Sequence, residues 1–194
     1  KSTLISVFLT IPSIVVGQCV QMIQGHESVD LGLSVLWASC NIGSNSPEEF
    51  GGYFAWGETY TKSCYNKMTY KFAGETLGAT NLPTIDAQIK SMLDYTKYLG
   101  EENKQNPNDV KLDISDDVAN AQWGTPWRMP TMKEISELLD SCNWVLYEVK
   151  GITGYWAVSK VNGNKIFFPL AGYLSDDKVF EVGKSGKYWA SELR

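Results

Sequence analysis

The stretch Trp123-Gly124-Thr125-Pro126-Trp127-Arg128-Met129-Pro130-Thr131, with the helix it launches, constrains this chain most. Thr131 followed three residues later by Glu134 is a capping box, in which each side chain satisfies a backbone N–H that the helix start leaves open. Ile135, Leu138, Leu139 and Cys142 then recur at the spacing of one helical face. Two prolines and two tryptophans fix the approach, because proline locks φ and indoles supply large apolar area. Upstream, Ser115-Asp116-Asp117-Val118 sets a cap and two acids at a second helix start, where the helix dipole favours negative charge. Downstream, Tyr155–Val161 and Asn164–Leu170 flank Asn162-Gly163, a strong hairpin signal. The alternating Val29, Leu31, Leu33 and Val35 predict a strand over Val29–Ala38 despite Gly32, and Tyr188–Ser191 predicts the start of another. A shorter helix is expected behind Thr84, on Ile85, Ile89, Met92 and Leu93, with a polar loop over Glu101–Asp109. The pattern is α+β.

With 194 residues, 43% of them hydrophobic, the chain can bury one substantial core and is read as a single domain. Seven tryptophans and ten tyrosines suit a tight core, or a surface that stacks on sugars and partner side chains. The net charge of −5, with lysines and arginines scattered singly, excludes the basic stripe of a nucleic-acid binder. Residues 1–17 read as the remains of a secretory signal peptide: the apolar run Leu4–Val16 is too short to span a bilayer, and Val15 and Gly17 suit cleavage before Gln18. No membrane span is expected in the mature chain, and the protein is placed as secreted, periplasmic or on the outer cell surface. Residues 18–28 are expected to form a short, loosely ordered lead. Export makes disulfides available, and Cys19, Cys40, Cys64 and Cys142 allow three complete pairings. With no Cys-x-x-Cys and a lone histidine, His26, a zinc or thioredoxin-like site lacks its raw material. His26 is read as exposed and without a role.

A set of words, in order from Val29 onward, resembles the Fibrobacter succinogenes major paralogous domain family of exported Bacteroidetes proteins. They are Val29-Asp30-Leu31-Gly32-Leu33-Ser34-Val35, Trp37-Ala38-Ser39-Cys40-Asn41-Ile42-Gly43 and Tyr53-Phe54-Ala55-Trp56-Gly57-Glu58-Thr59. Ser115-Asp116-Asp117-Val118-Ala119, Trp127-Arg128-Met129-Pro130-Thr131 and Cys142-Asn143-Trp144 follow. The last are Asn162-Gly163-Asn164, Phe168-Pro169, Ala171-Gly172-Tyr173 and Gly186-Lys187-Tyr188-Trp189; the stretch 60–112 carries no such word. The resemblance implies a C-type-lectin-like fold, with two helices, a mainly antiparallel hairpin-built sheet and long loops, related to formylglycine-generating enzymes. It also implies terminal strands beyond the Tyr-Trp word, so the domain, 29–194, is expected to be incomplete at its C-terminal end.

Within the shared words, Cys40 and Cys142 are expected to pair, which would close a loop of about a hundred residues and contribute up to ~4.7 kcal/mol in the chain-entropy model. Arg128 is expected in a structural ion pair, with Glu58, Asp116 or Asp117 as partner. Trp37, Trp56, Trp123 and Trp127 are expected as core anchors. Calcium lacks its motif: Gln105-Asn106-Pro107-Asn108-Asp109 reads as a turn, and no cofactor or metal is expected. Formylglycine-type chemistry relies on a late cysteine pair, and no cysteine follows Cys142. No two carboxylates stand out as a hydrolase pair, and no serine elbow serves His26, so no catalytic residue is named. The expectation is a non-catalytic, secreted or surface binding module for a glycan or protein, with Tyr155, Trp156, Tyr188 and Trp189 as candidate contacts. The alternative from another class is a structural or assembly subunit of a surface appendage, completed by a donated strand.

Overall fold

The structure, a computed structural model, describes residues 20–66, 68–73, 97–98 and 110–192. The leader, Cys19, the helix behind Thr84 and the loop from Glu101 to Asp109 lie outside them. The described chain opens on a tight hairpin, β1 (Val20–Ile23) and β2 (His26–Val29), with Val20 opposite Val29 and Ile23 opposite His26. Gln24 and Gly25 between them both take positive φ, 49° and 80°, the mirror-image turn whose twist matches paired strands. β2 pairs in turn with the short β3 (Trp37–Ala38). The segment expected as a loose lead is therefore a paired element. His26 is part-buried, not exposed, because its ring stacks on Trp123 at 4.1 Å.

The strand expected over Val29–Ala38 does not form. The Asp30 carboxylate accepts the Gly32 N–H at 2.7 Å, and Gly32 turns the chain at φ +69°, so the strand stops at Val29. Val29 and Leu31 remain fully buried on either side of that turn. Their alternation reflects two core anchors, not a ladder.

A 3₁₀ turn, Ile114–Asp116, leads into α1 (Val118–Trp123). Asp117 caps α1, one carboxylate oxygen accepting from the amides of Ala119 and Asn120. The other oxygen accepts from Met129 N–H at 2.8 Å, tying the cap to the Trp-Arg-Met stretch. That stretch delivers Thr131 to the start of α2 (Met132–Ser141), where the capping box with Glu134 is present in both directions. α2 buries Leu138 and passes directly into β4 (Cys142–Val149).

β4, β5 (Ile152–Ser159) and β6 (Lys165–Pro169) form an antiparallel sheet in that order. Lys150 and Gly151, at φ 48° and 82°, make the first turn. In the second, Ser159 Oγ accepts from the amides of Val161 and Asn162 and Ser159 N–H donates to Asn164, so the loop around Asn162-Gly163 opens earlier than the alternation suggested. Asn162 and Asn164 side chains both donate to Asp30 O, fastening this hairpin to the turn after β2. β7 (Tyr173–Ser175) and β8 (Lys178–Phe180) form a separate hairpin. Tyr188–Ser191 is not a strand. Its backbone–backbone hydrogen bonds go to two separate loops, Ser191 N–H to Pro130 O and Leu112 N–H to Ser191 O, each at 2.8 Å. The described architecture is α+β, two helices with antiparallel hairpin sheets, and no described helix is long and apolar enough to cross a membrane.

Two apolar clusters carry it. The first gathers Trp56, Phe72, Tyr98, Val110, Leu112, Val118 and Met129; the second gathers Val29, Leu31, Leu138, Cys142, Ala157 and Ile166. The expected Cys40–Cys142 bridge is not formed: Cys40, Cys64 and Cys142 are all free thiols. The two partners belong to different surroundings. Cys142 is buried in the second cluster, where desolvation pushes its thiol up, while Cys40 donates to Ser44 O in the turn beyond β3.

Arg128 pairs with Glu134, in place of the partners expected for it, through two guanidinium hydrogen bonds. That pair holds Glu134 down at about 2, against an ordinary 4.5. Asp116, 4% exposed, is pushed up by burial, but the ammoniums of Lys71 and Lys97 and the Tyr98 hydroxyl outweigh this and hold it at about 2 as well. Both carboxyls titrate lower folded than unfolded, so the unfolded chain takes up protons first as pH falls. Their stabilisation is complete above about pH 4.5 and is lost on the way down to about 2. With Arg128 and Lys71 partly in water, the two together are worth on the order of 2 kcal/mol. Urea melts at stepped pH should show that loss; a flat midpoint between pH 5 and pH 2.5 would contradict it.

Candidate functional site

Between the two cores runs a cleft of about 1360 Å³, walled mainly by apolar and aromatic side chains. Its position follows from β6. Ile166, Phe167 and Phe168 are consecutive in a strand, so their side chains alternate between the two faces of the sheet. All three border the cleft, whereas β5 contributes only Tyr155 and β4 only Trp144. A cavity touched by both faces of one strand lies along that strand's edge. β6 is the edge of its sheet among the described residues, and the cleft occupies the place beside it.

The four expected contact residues do not act together. Tyr155, Tyr188 and Trp189 border the cleft, and Trp156 does not. Trp156 precedes Ala157 on β5 and faces the other side of the sheet, where Phe167 lies 5.1 Å away and Lys165 covers its ring at 4.4 Å. Tyr155, Trp144, Phe168 and Tyr188 form a continuous aromatic row along one wall, with successive centroids 6.5, 5.3 and 5.2 Å apart. Tyr188 is anchored at its hydroxyl, which donates to Pro169 O; desolvation there pushes the phenol up to about 12 although the ring's outer side stays exposed. Trp189, 52% exposed, is held by its indole N–H on Phe54 O at 2.9 Å.

The four tryptophans expected as anchors sit differently. Trp56 is buried in the first core and donates to Ala190 O, and Trp127 is buried with its N–H on Ile23 O. Trp123 is part-buried against His26, and Trp37 packs on the second core. Trp37, Trp123 and Trp127 all border the cleft. The indole N–H groups of Trp37 and Trp144 are buried without an acceptor among the described residues.

Four charged side chains line the cleft: Arg128, Glu134, Lys184 and Lys187. Arg128 and Glu134 neutralise each other. Lys187 lies over the Tyr173 ring at 3.6 Å, and neither Lys184 nor Lys187 has a carboxylate partner among the described residues. A surplus of two positive charges thus sits in the cleft of a chain whose net charge is −5. Glu134 is engaged by Arg128 and the helix cap, so it is poorly placed to move protons. The arrangement suits holding an apolar ligand that carries negative charge. Among the described residues no group of three His, Cys, Asp or Glu could hold a metal ion.

The sequence reading missed Trp144, Phe168, Lys184 and Lys187. Trp144, Phe168 and Lys187 stood in quoted words, and Trp144 and Phe168 alternate correctly for one sheet face, but nothing local marked either lysine for the cleft. In comparisons with known proteins, no family model, no curated protein and no solved structure matches this chain.

Proposed function

We propose that this chain is a non-catalytic binding module, exported to the cell surface or beyond, whose cleft holds a protein ligand. The words shared with the Fibrobacter succinogenes major paralogous domain family support a C-type-lectin-like scaffold for it, and so does the α+β arrangement of two helices with antiparallel hairpins. The observation that carries the reading is the cleft itself: about 1360 Å³, lined chiefly by apolar and aromatic groups, with a net positive lining. A small-molecule pocket is typically about 300–1,000 Å³. This cleft is larger than such a ligand needs. A glycan is the second reading, favoured by the half-exposed ring of Trp189.

The test is a binding screen of the full chain on a glycan array, with and without calcium, beside selection from a displayed peptide library. Leu36 is 41% exposed and borders the cleft, whereas Leu146 is 57% exposed on β4 and does not. Burying a leucine contributes about 1.5–3 kcal/mol. Leu36→Glu is therefore expected to weaken whatever binds by at least about tenfold, with little change in melting, and Leu146→Glu to leave binding intact. The opposite pattern would move the site to the β4 edge, and silence on both screens with a folded sample would sink the reading.

A further inference from the structure

β4 bounds the sheet on the side opposite β6, with β5 as its one neighbour. Its hydrogen bonding follows from the turn after it. Lys150 and Gly151 make a two-residue turn of the mirror-image kind, so the flanking pair Val149–Ile152 exchanges bonds, and so do Tyr147–Gly154, Val145–Trp156 and Asn143–Val158. The bond from Lys160 N–H to Ser141 O continues the same alternation. The residues between, Trp144, Leu146 and Glu148, therefore turn their N–H and C=O groups away from β5. None of these groups has a partner among the described residues, which leaves about 14 Å of ladder open. The strand is not screened either, since Val145, Leu146 and Tyr147 are 48%, 57% and 58% exposed. Edge strands are usually blunted by lysine, proline or a bulge. β4 has no lysine and no proline, pairs with β5 without interruption from Cys142 to Val149, and carries one charge, Glu148.

We propose that two copies of this chain pair β4 with β4, antiparallel about a two-fold axis at Leu146, and so join two three-stranded sheets into one of six strands. This goes beyond the cleft reading and does not depend on it, because Val145, Leu146 and Tyr147 do not border the cleft. A two-fold axis needs a self-complementary register in which outward groups meet outward groups. With the two Leu146 residues opposite each other, Trp144 of each copy faces Glu148 of the other, so all three outward residues are used. A shift of two residues either way leaves one of them without an outward partner. The side chains agree with the backbone. On one face Val145 falls opposite Tyr147 of the second copy, twice, a β-branched group against an aromatic one at the close spacing of a pair without hydrogen bonds. On the other face leucine meets leucine, and the two Glu148 carboxylates lie at opposite ends of the ladder. A strand from another protein could use the same backbone groups; the match of apolar with apolar residues about Leu146 assigns the edge to a second copy. The contact is short for a stable dimer, so association is expected only at micromolar concentrations and above.

Sedimentation equilibrium of the full chain, from micromolar to submillimolar concentration, should show the mass rise from 21.6 kDa toward twice that value and stop there. Where the dimer predominates, amide exchange followed by NMR should slow at least tenfold at Trp144, Leu146 and Glu148. It should not change at Asn143, Val145 and Tyr147, which bond to β5 in either state. Leu146→Lys and Leu146→Glu should each be monomeric, with melting unchanged at low concentration, because like charges then meet across the axis. An equimolar mixture of the two should dimerise again, at least tenfold more tightly than either alone. A chain that stays monomeric throughout, or that forms open-ended polymers, overturns the proposal. So does a dimer that survives either charge variant, which places its interface elsewhere, and so does a mixture that stays monomeric, which removes Leu146 from the axis. The cleft reading stands or falls separately, through Leu36→Glu.

Discussion

Asp117→Ala is expected to destabilise the protein by about 3–5 kcal/mol, because it strands three backbone donors at once. One oxygen of Asp117 accepts from Ala119 and Asn120, and the other accepts from Met129. The residue is 4% exposed, so water cannot readily replace the lost acceptors. The damage spreads in both directions along the chain: α1 loses its cap, and Met129, a member of the first core, loses the anchor that sets the path into α2. Asp117→Asn separates the two roles. Its amide oxygen can still cap α1, but its NH₂ faces the Met129 N–H donor to donor, so about half of the loss should remain. Urea unfolding followed by tryptophan fluorescence checks both variants; an alanine variant within about 1 kcal/mol of the parent would show that the cap and the Met129 tie are not the hinge of this region.

Where the folding signal was local, the sequence showed it. The capping box needs only Thr131 and Glu134, three residues apart along the chain, and the structure contains both of its bonds. Asn162-Gly163 lies in the expected hairpin for the same reason. Other local signals were misread because two elements share one pattern. Val29, Leu31, Leu33 and Val35 alternate like a strand, yet Asp30 and Gly32 supply an equally local turn that wins once Leu31 has a core to enter. The hairpin before it was also signalled, by Gln24-Gly25 between two short alternating runs, but closeness to the leader hid it. Arg128 shows a different limit. Glu134 was assigned to the helix cap alone, while its carboxylate serves the cap and the guanidinium together. The cleft was beyond local reading altogether. It arises from the spacing of two cores, and its lysines come from a loop whose position depends on contacts across the sheet.

That loop is set by Gly172, and Gly172→Ala is expected to cost at least about 3 kcal/mol, with a fall in melting temperature on the order of 10 °C. Gly172 holds φ +70°, where an alanine alone costs about 1–2 kcal/mol. Space is the larger obstacle: a Cβ there would lie 1.9 Å from Phe180 O and 2.9 Å from Val182 N. These are backbone atoms, so no side chain can rotate away. Either the 180–182 segment moves outward by more than 1 Å, or Gly172 gives up its N–H bond to Ser185 O at 2.7 Å. Both shift the 181–187 stretch, which carries Lys184 and Lys187 and leads to Tyr188 and Trp189 on the cleft wall. Gly183→Ala is the control, because it also has positive φ, +74°, but open space around the added carbon. It should show the conformational cost alone, with cleft binding nearly unchanged. If the two alanine variants melt together and bind alike, the backbone contact at Gly172 does not set the loop, and the cleft's charged end is positioned by Tyr188 and Trp189 instead.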